Sequence, residues 1–318
     1  MDDSVISSPP VRVGGGRADR FVRKLFRLLR SRTQRHNQHL WPFVRIWRDH
    51  TGAISAYKAF GRSFPITPLS AGFDPADQEV HLILSGPSVA EIPYDRMDIK
   101  VAMGVNGAIA LARKFDLPFK YYCIIDQNFV RNRIDLVREI VSRDLTLYVM
   151  PEVLRYIMQG IPQEDIRCRI CIIELISARA YERTAAPAVL KRMAAATPDV
   201  QLLDAKRGLG YSFDVSLGIF DADTVAYAAL QVLVSNGVRK AYVHGLDLTT
   251  QNGLRFYEEK NPQTSRLGRK FANLIEPSFR FASELWRARG VSVFNLSPVS
   301  ALPRDIMERL DWQTFLKD

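Results

Sequence analysis

Cysteine is scarce in this 318-residue chain: Cys123, Cys168 and Cys171 are the complete set. Three thiols are too few for a disulfide framework, and the Cys168-Arg169-Ile170-Cys171 spacing has no second pair to complete a zinc site. Half-buried structural thiols are expected instead. No apolar run is long enough to span a bilayer. Asp2, Asp3, Pro9 and Pro10 stand where a signal peptide would place its basic and apolar regions, so a cytoplasmic protein is expected, peripheral on the cytoplasmic face of the inner membrane. No GxGxxG follows a strand pattern, and GxxxxGK[ST] and GxSxG are missing. Those absences weigh against dinucleotide cofactors, P-loop ATP use and serine-hydrolase chemistry. The acidic pair expected of a glycoside hydrolase is not evident either.

What is present describes a folded protein with an uneven charge. Hydrophobic residues make up 47% and charged residues 25%, and the net charge is +10. Residues 1–60 hold twelve Lys or Arg against four Asp, a surplus of eight, so the other 258 residues carry a surplus of only two. A nucleic-acid footprint spread over the fold is not expected. From Ala18 onward, Phe21, Leu25, Leu28 and Leu29 recur at helical spacing among Arg20, Arg23, Lys24, Arg27 and Arg30. Trp41, Phe43 and Trp47 follow, interleaved with Arg45 and Arg48. The pattern suits an amphipathic arm lying on an anionic membrane surface, and also suits a helix packed on the body.

After a Pro-rich connector from Phe64 to Pro75, the pattern predicts strands at 80–85, 100–103, 121–125, 145–149, 240–244 and 291–295. Helical patterns at 106–116, 130–142, 222–236 and 276–289 separate several of them. The expected fold is α/β: a Rossmann-like, mostly parallel sheet with helices on both faces, preceded by a basic N-terminal helical arm. Residues 1–75 are read as tip, arm and connector and 76–318 as the catalytic domain. Within that domain, 150–205, with helical pattern from Glu182 to Met193, is read as a small helical lid.

Strand ends carry the candidate site, because open α/β sheets bind ligands beyond their carboxyl edge. The run His81-Leu82-Ile83-Leu84 stops at Gly86, Pro87 and Ser88, which permit close approach to a phosphate. Asn106 follows the second strand, as a helix cap or a donor to sugar or base. Asp126 ends the third. Val243-His244-Gly245-Leu246-Asp247 ends another before the polar loop Thr249-Thr250-Gln251-Asn252-Gly253; Asp247 suits either ligand recognition or holding the turn.

The segments ILSGPSVAEIP (83–93), GVNGA (104–108), SLGIFDADTVAYAALQVLVSNGVRKAYVHGLDL (216–248) and NLSPVSALP (295–303) together resemble the bacterial sialyltransferases that use a CMP-activated sugar. Proteins of related fold transfer the acidic sugar Kdo from CMP-Kdo or handle pterin pyrophosphate. The resemblance covers roughly 78–305 and implies a CMP pocket formed by Gly86, Pro87, Ser88, Asn106, Ser216, Gly218, Gly245, Asp247, Ser297 and Pro298. Tyr257 is the nearest counterpart of the phosphate-binding tyrosines. The family's catalytic histidine has no counterpart in Phe271–Glu276, so Glu258, His244 and Asp126 are the candidate bases for deprotonating an acceptor hydroxyl as the bond to phosphate breaks. Arg255, Arg266, Arg269, Lys270, Lys206 and Arg207 are candidates to neutralise the leaving phosphate, and no metal or other cofactor is expected to be required.

The expected function is transfer of Kdo, preferred over a sialic-acid-like sugar, from a CMP donor to a lipid-linked, lipopolysaccharide or oligosaccharide acceptor. A pterin or nucleotide pyrophosphokinase-like enzyme and a noncatalytic nucleotide-binding, membrane-associated protein are the competing readings. The first would require ATP and magnesium; the second would bind CMP without turning over a donor.

Overall fold

The fold was analysed as a computed structural model that describes residues 13, 14, 16–248 and 270–317. The chain opens with helix α1 (Arg17–Leu29) and a small antiparallel sheet of β1 (Val44–Arg48), β2 (Ile54–Ala59) and β3 (Arg62–Phe64). It then lays down β4 (Glu79–Ile83), β5 (Ala102–Val105), β6 (Phe119–Ile124), β7 (Thr146–Val149) and β8 (Arg169–Ile172), each beside the last and all parallel. Helices α2 (Gln127–Asn132), α3 (Ile134–Val141) and α4 (Pro151–Gly160) form the crossovers on that side. Next come α5 (Pro187–Ala196), the hairpin of β9 (Val200–Asp204) and β10 (Leu209–Ser212), and α6 (Val225–Ser235). The chain then returns to the first strand: β11 (Lys240–His244) pairs with β4 on its free side. Helix α7 (Glu276–Ala288), β12 (Ser292–Asn295) and β13 (Glu308–Arg309) complete a sheet ordered β13-β12-β11-β4-β5-β6-β7-β8.

Central strands covered on both faces cannot alternate polar and apolar residues. Accordingly Val80, Leu82 and Ile83 of β4 are buried with no break, and His81 among them is buried as well. Helix α6 is capped by the Thr224 hydroxyl, which accepts from the Ala226 N–H at 3.3 Å, and is enclosed along nearly its whole length. Its one interior amide, Gln231, is matched to the backbone of Ser212, Phe220 and Tyr227. The β4/β11 junction, where strand order reverses, is where the physics of this architecture puts a ligand.

All six expected strands form. The span 150–205, however, is not simply a helical lid: it contains β8, the edge strand of the main sheet, as well as β9. Its helix begins at Pro187, and the pattern at 106–116 folds as a 3-10 helix, Asn106–Arg113. The N-terminal region is equally integrated. Arg48 forks onto Glu174 just past β8, with Nη1 and Nη2 at 2.6 and 2.9 Å from the two carboxylate oxygens. Within the connector, the Thr67 N–H donates to Ile170 of β8 at 2.8 Å, and Phe73 stacks on Tyr121 with centroids 3.9 Å apart. Two of the three arm aromatics pack internally, Trp41 against Phe26 and Phe43 on Phe60. Cys123, Cys168 and Cys171 are free and buried, and burial pushes each thiol up to about 12.

Candidate active site

Three strand ends meet at the β4/β11 junction and are tied by one carboxylate. Asp247, three residues beyond β11, is buried. Its Oδ2 accepts the Ser88 N–H at 2.9 Å, and its Oδ1 accepts the Ser88 hydroxyl at 2.5 Å and the Ser297 hydroxyl. The Asp247 carbonyl accepts the Ala301 N–H at 2.7 Å, while the Ser300 hydroxyl donates to the Leu246 carbonyl at 2.5 Å. Asp247 therefore holds the turns after β4, β11 and β12 together, and the Ser88 and Ser297 side chains are engaged in that knot. What the knot presents outward is backbone, with Pro87 exposed at the start of a 3-10 helix, Pro87–Glu91, and Pro298 exposed after Ser297.

Glycine is obligatory where these turns cross. A Cβ on Gly86 would lie 2.3 Å from the Gly245 carbonyl and 2.6 Å from Asp247 Oδ2. Gly245 has φ +70°, and a Cβ there would strike Val89 at 2.5 Å. At Gly86 no side-chain rotation relieves the contact, since backbone and an anchored carboxylate stand in the way, and at Gly245 the positive φ itself disfavours any side chain.

Asn106 follows β5 directly, next to β4 in the sheet. It is buried at φ +45°, a left-handed conformation in which asparagine is favoured over most residues. The Asn106 carbonyl accepts the Tyr122 hydroxyl at 2.7 Å, yet its buried side-chain Oδ1 has no hydrogen-bond partner among the described residues. The N-cap of the 3-10 helix that Asn106 begins is Val105. An unsatisfied buried acceptor at the switch point is a candidate for ligand recognition. Asn295, inside the NLSPVSALP segment but not singled out from sequence, has the same character. Its Oδ1 accepts the Ser297 N–H at 2.9 Å and its buried Nδ2 lacks a partner.

Ser216 and Gly218 lie elsewhere. The Ser216 hydroxyl donates to Asp214 at 2.6 Å, and the neighbouring Val215 N–H donates to Ser235 at the last turn of α6. Gly218, at φ +115°, sits against the backbone of Ile176, beyond the far edge strand β8. The structure thus unites Gly86, Pro87, Ser88, Gly245, Asp247, Ser297 and Pro298, sets Asn106 beside them, and separates Ser216 and Gly218. Tyr257, Glu258 and the polar and arginine-bearing loop 249–269 lie outside the described residues.

Among the candidate bases, His244 is fully enclosed under the crevice. Its Nε2 is 2.9 Å from His81 Nδ1, and burial together with His81 drives its pKa well below the ordinary imidazole value. A group with no exposed surface cannot meet an acceptor hydroxyl, so its place is structural. Asp126 caps α2 by accepting the Asn128 N–H at 2.7 Å and stays half-exposed at the end of β6. Further along the same edge, Glu152 and Glu174 line a small cleft after β7 and β8 with His36 and Asn37. Burial pushes the Glu152 carboxyl up to about 7. The sequence signal for it was modest, an acid one residue past the Met150-Pro151 strand stop. Asp221-Ala222-Asp223 was also passed over, although its Asp-x-Asp spacing is one that can serve a divalent cation. Here the Asp223 N–H donates to Asp221 at 2.7 Å and Asp223 pairs with Lys270 at 2.6 Å. No group of three metal-ligating side chains occurs among the described residues.

Comparison with known proteins gives this geometry a context. Residues 74–313 match the family profile described as 3-deoxy-D-manno-octulosonic acid transferase WaaZ. A probable 3-deoxy-manno-octulosonic acid transferase of Escherichia coli K12 is 26% identical over 247 residues, covering 72% of this chain and 81% of that protein. Its Salmonella typhimurium counterpart is 26% identical over 237 residues, covering 71% and 84%. Among solved structures, the MAf glycosyltransferase of Magnetospirillum magneticum AMB-1 aligns at TM-score 0.45 and 14% identity, over 76% of this chain but only 35% of that one. The α-2,3-sialyltransferase Cst-I of Campylobacter jejuni aligns at TM-score 0.31 and 11% identity, over 77% and 84%. The sequence match, and not these structural alignments, carries the relationship.

Proposed function

The chain belongs to the 3-deoxy-D-manno-octulosonic acid (Kdo) transferase WaaZ family and is a glycosyltransferase, and on that premise we propose that it moves Kdo from a CMP-activated donor to a lipopolysaccharide-type acceptor at the cytoplasmic face of a membrane. The observation that carries the site assignment is Asn106, a buried acceptor with no partner among the described residues, beside the knotted turns of the β4/β11 junction. In this reading the half-buried Gly86 turn approaches the nucleotide phosphate with the buried Gly245 turn behind it, and Asn106 and Asn295 supply the directional polar contacts. No further cofactor is invoked.

The reacting sugar would extend across β5 toward β6. Adjacent strands are spaced about 4.8 Å apart, so Asp126 stands about 10 Å across the sheet from β4. That span suits a donor whose nucleotide is seated at the junction. Asp126 then takes the proton of the acceptor hydroxyl while the sugar–phosphate bond breaks and CMP departs. The pyrophosphokinase reading loses its footing with family membership.

Calorimetric titration with CMP, CTP and ATP, followed by CMP release from CMP-Kdo, tests the proposal. CMP or CTP should bind and ATP should not; clear ATP binding with no response to CMP or CTP would sink it. Asp126→Asn should retain CMP-Kdo binding and lower turnover by about a hundredfold or more. Undiminished turnover would remove Asp126 from the base role.

A further inference from the structure

Helix α1 turns one face onto the body and leaves an apolar stripe exposed among the described residues. At about 100° per residue, Asp19 and Phe26 lie about 20° apart on the helix circumference. That face is fixed to the body: Asp19 pairs with the buried Arg155 at 2.6 Å, and Phe26 packs on Trp41. Phe21, Leu25, Leu28 and Leu29 occupy about 100° of arc centred about 120° away. There Phe21 is 67% exposed, Leu28 78% and Leu29 66%. Scattered apolar side chains on a surface need no explanation, but three large ones on a single helical stripe are a patch.

The stripe is bordered by cations. Arg17, Arg20 and Lys24 run along its flank, all exposed, and the sole acid of the helix is the one turned inward onto Arg155. We propose that this outward face of α1 docks the protein on an anionic lipid surface, with Phe21, Leu28 and Leu29 entering the interface and Arg17, Arg20 and Lys24 meeting the headgroups. Charge complementarity selects this occupant, since an apolar stripe edged by cations that have no ion pair among the described residues is matched by acyl chains beneath phosphate. No described helix is long and apolar enough to cross a membrane, so the contact is one of lying on the surface. Its orientation is set by the protein, because the Asp19–Arg155 pair and the Phe26–Trp41 contact fix which face points away.

The test uses the full chain and co-sedimentation with vesicles of phosphatidylcholine alone or mixed with phosphatidylglycerol. Binding to the anionic vesicles should exceed that to the neutral ones by about tenfold or more and weaken with salt. Both Phe21→Ser/Leu28→Ser/Leu29→Ser and Arg17→Gln/Arg20→Gln/Lys24→Gln should lower it by about tenfold, while Lys191→Gln/Arg192→Gln on α5 leaves it within about twofold. CMP release from donor in the absence of vesicles should be equal in all four proteins, which keeps this outcome separate from the donor chemistry. Unchanged binding by the serine variant, or an equal loss in the α5 control, overturns the proposal. So does a dimer in light scattering that the serine variant dissociates while vesicle binding persists, since the face would then belong to a second copy.

Discussion

Asp247 and Asn106 occupy the same crevice and do opposite jobs. The Asp247 carboxylate takes two hydroxyls and one N–H from residues remote in sequence, so its chemistry is directed into the protein. Asp247→Asn would turn an amide N–H toward groups that are themselves donors and should destabilise the fold by about 2 kcal/mol. Urea denaturation measures it. Asn106→Gly, in contrast, keeps the left-handed backbone and removes the side-chain amide, the unpartnered acceptor included. Its urea midpoint should change little, and its CMP affinity should fall by about tenfold, the worth of a hydrogen bond of about 1.4 kcal/mol. Equal loss of stability in both variants would contradict this division. The glycine turns and the strand-ending Asp247 were legible in the sequence because an apolar run stopping at glycine has few other uses. Which way Asp247 faced was not, since the answer depended on hydroxyls 159 and 50 residues away.

At the scale of elements, the strands that could be read were the ones buried on both faces, with runs such as Val80-His81-Leu82-Ile83 ending at a glycine turn. Those that escaped notice lie at an edge of the main sheet or outside it. Strand β8 is only Arg169–Ile172, and β1 reads Val-Arg-Ile-Trp-Arg, a basic and aromatic alternation equally suited to a membrane arm. Its alternation is instead that of a two-faced strand, with Val44 inward and Arg45 and Trp47 outward. The arm is held by the Asp19–Arg155 pair, where Arg155 is 1% exposed and lies over Phe43, Phe60 and Tyr156. Asp19→Ala would strand a buried cation and should cost about 3–5 kcal/mol, whereas Asp19→Leu combined with Arg155→Met should recover most of it. Chemical denaturation of the single and double variants decides between them. Deleting residues 1–48 would be a poor probe of the arm, because it also removes β1 and the Arg48 fork on Glu174.

For the molecule as a whole, the buried imidazoles set the acid limit. Burial lowers His39 and His81 to about 4, and burial together with the neighbouring His81 also drives His244 well below the ordinary imidazole value. The unfolded chain takes up these protons near pH 6.5, before the folded one can, so stability should fall as pH drops from about 6.5 toward 4. The loss should be on the order of several kcal/mol. Glu152 runs the other way: its raised value, about 7, makes the folded state the better proton binder between about 4.5 and 7. It offsets part of the loss on acidification without reversing it. Thermal melts between pH 7.5 and 4.5 should therefore show a falling midpoint, and His81→Phe should flatten the fall; a midpoint rising toward acid would refute the assignment.

The Asp247 knot also ties the site to the order in which the chain can assemble. Its hydroxyl partners come from turns 159 residues before and 50 residues after it, on either side of the sheet's central reversal. A polypeptide emerging from its amino end can build β4 to β8 side by side from neighbouring segments, but the crevice wall has no existence until β11 and the Ser297 turn arrive. Contacts that close such long loops form late and slowly. Completion of the crevice is thus a property only of the finished fold, and under the proposed function nucleotide binding would report that the last third of the chain is in place.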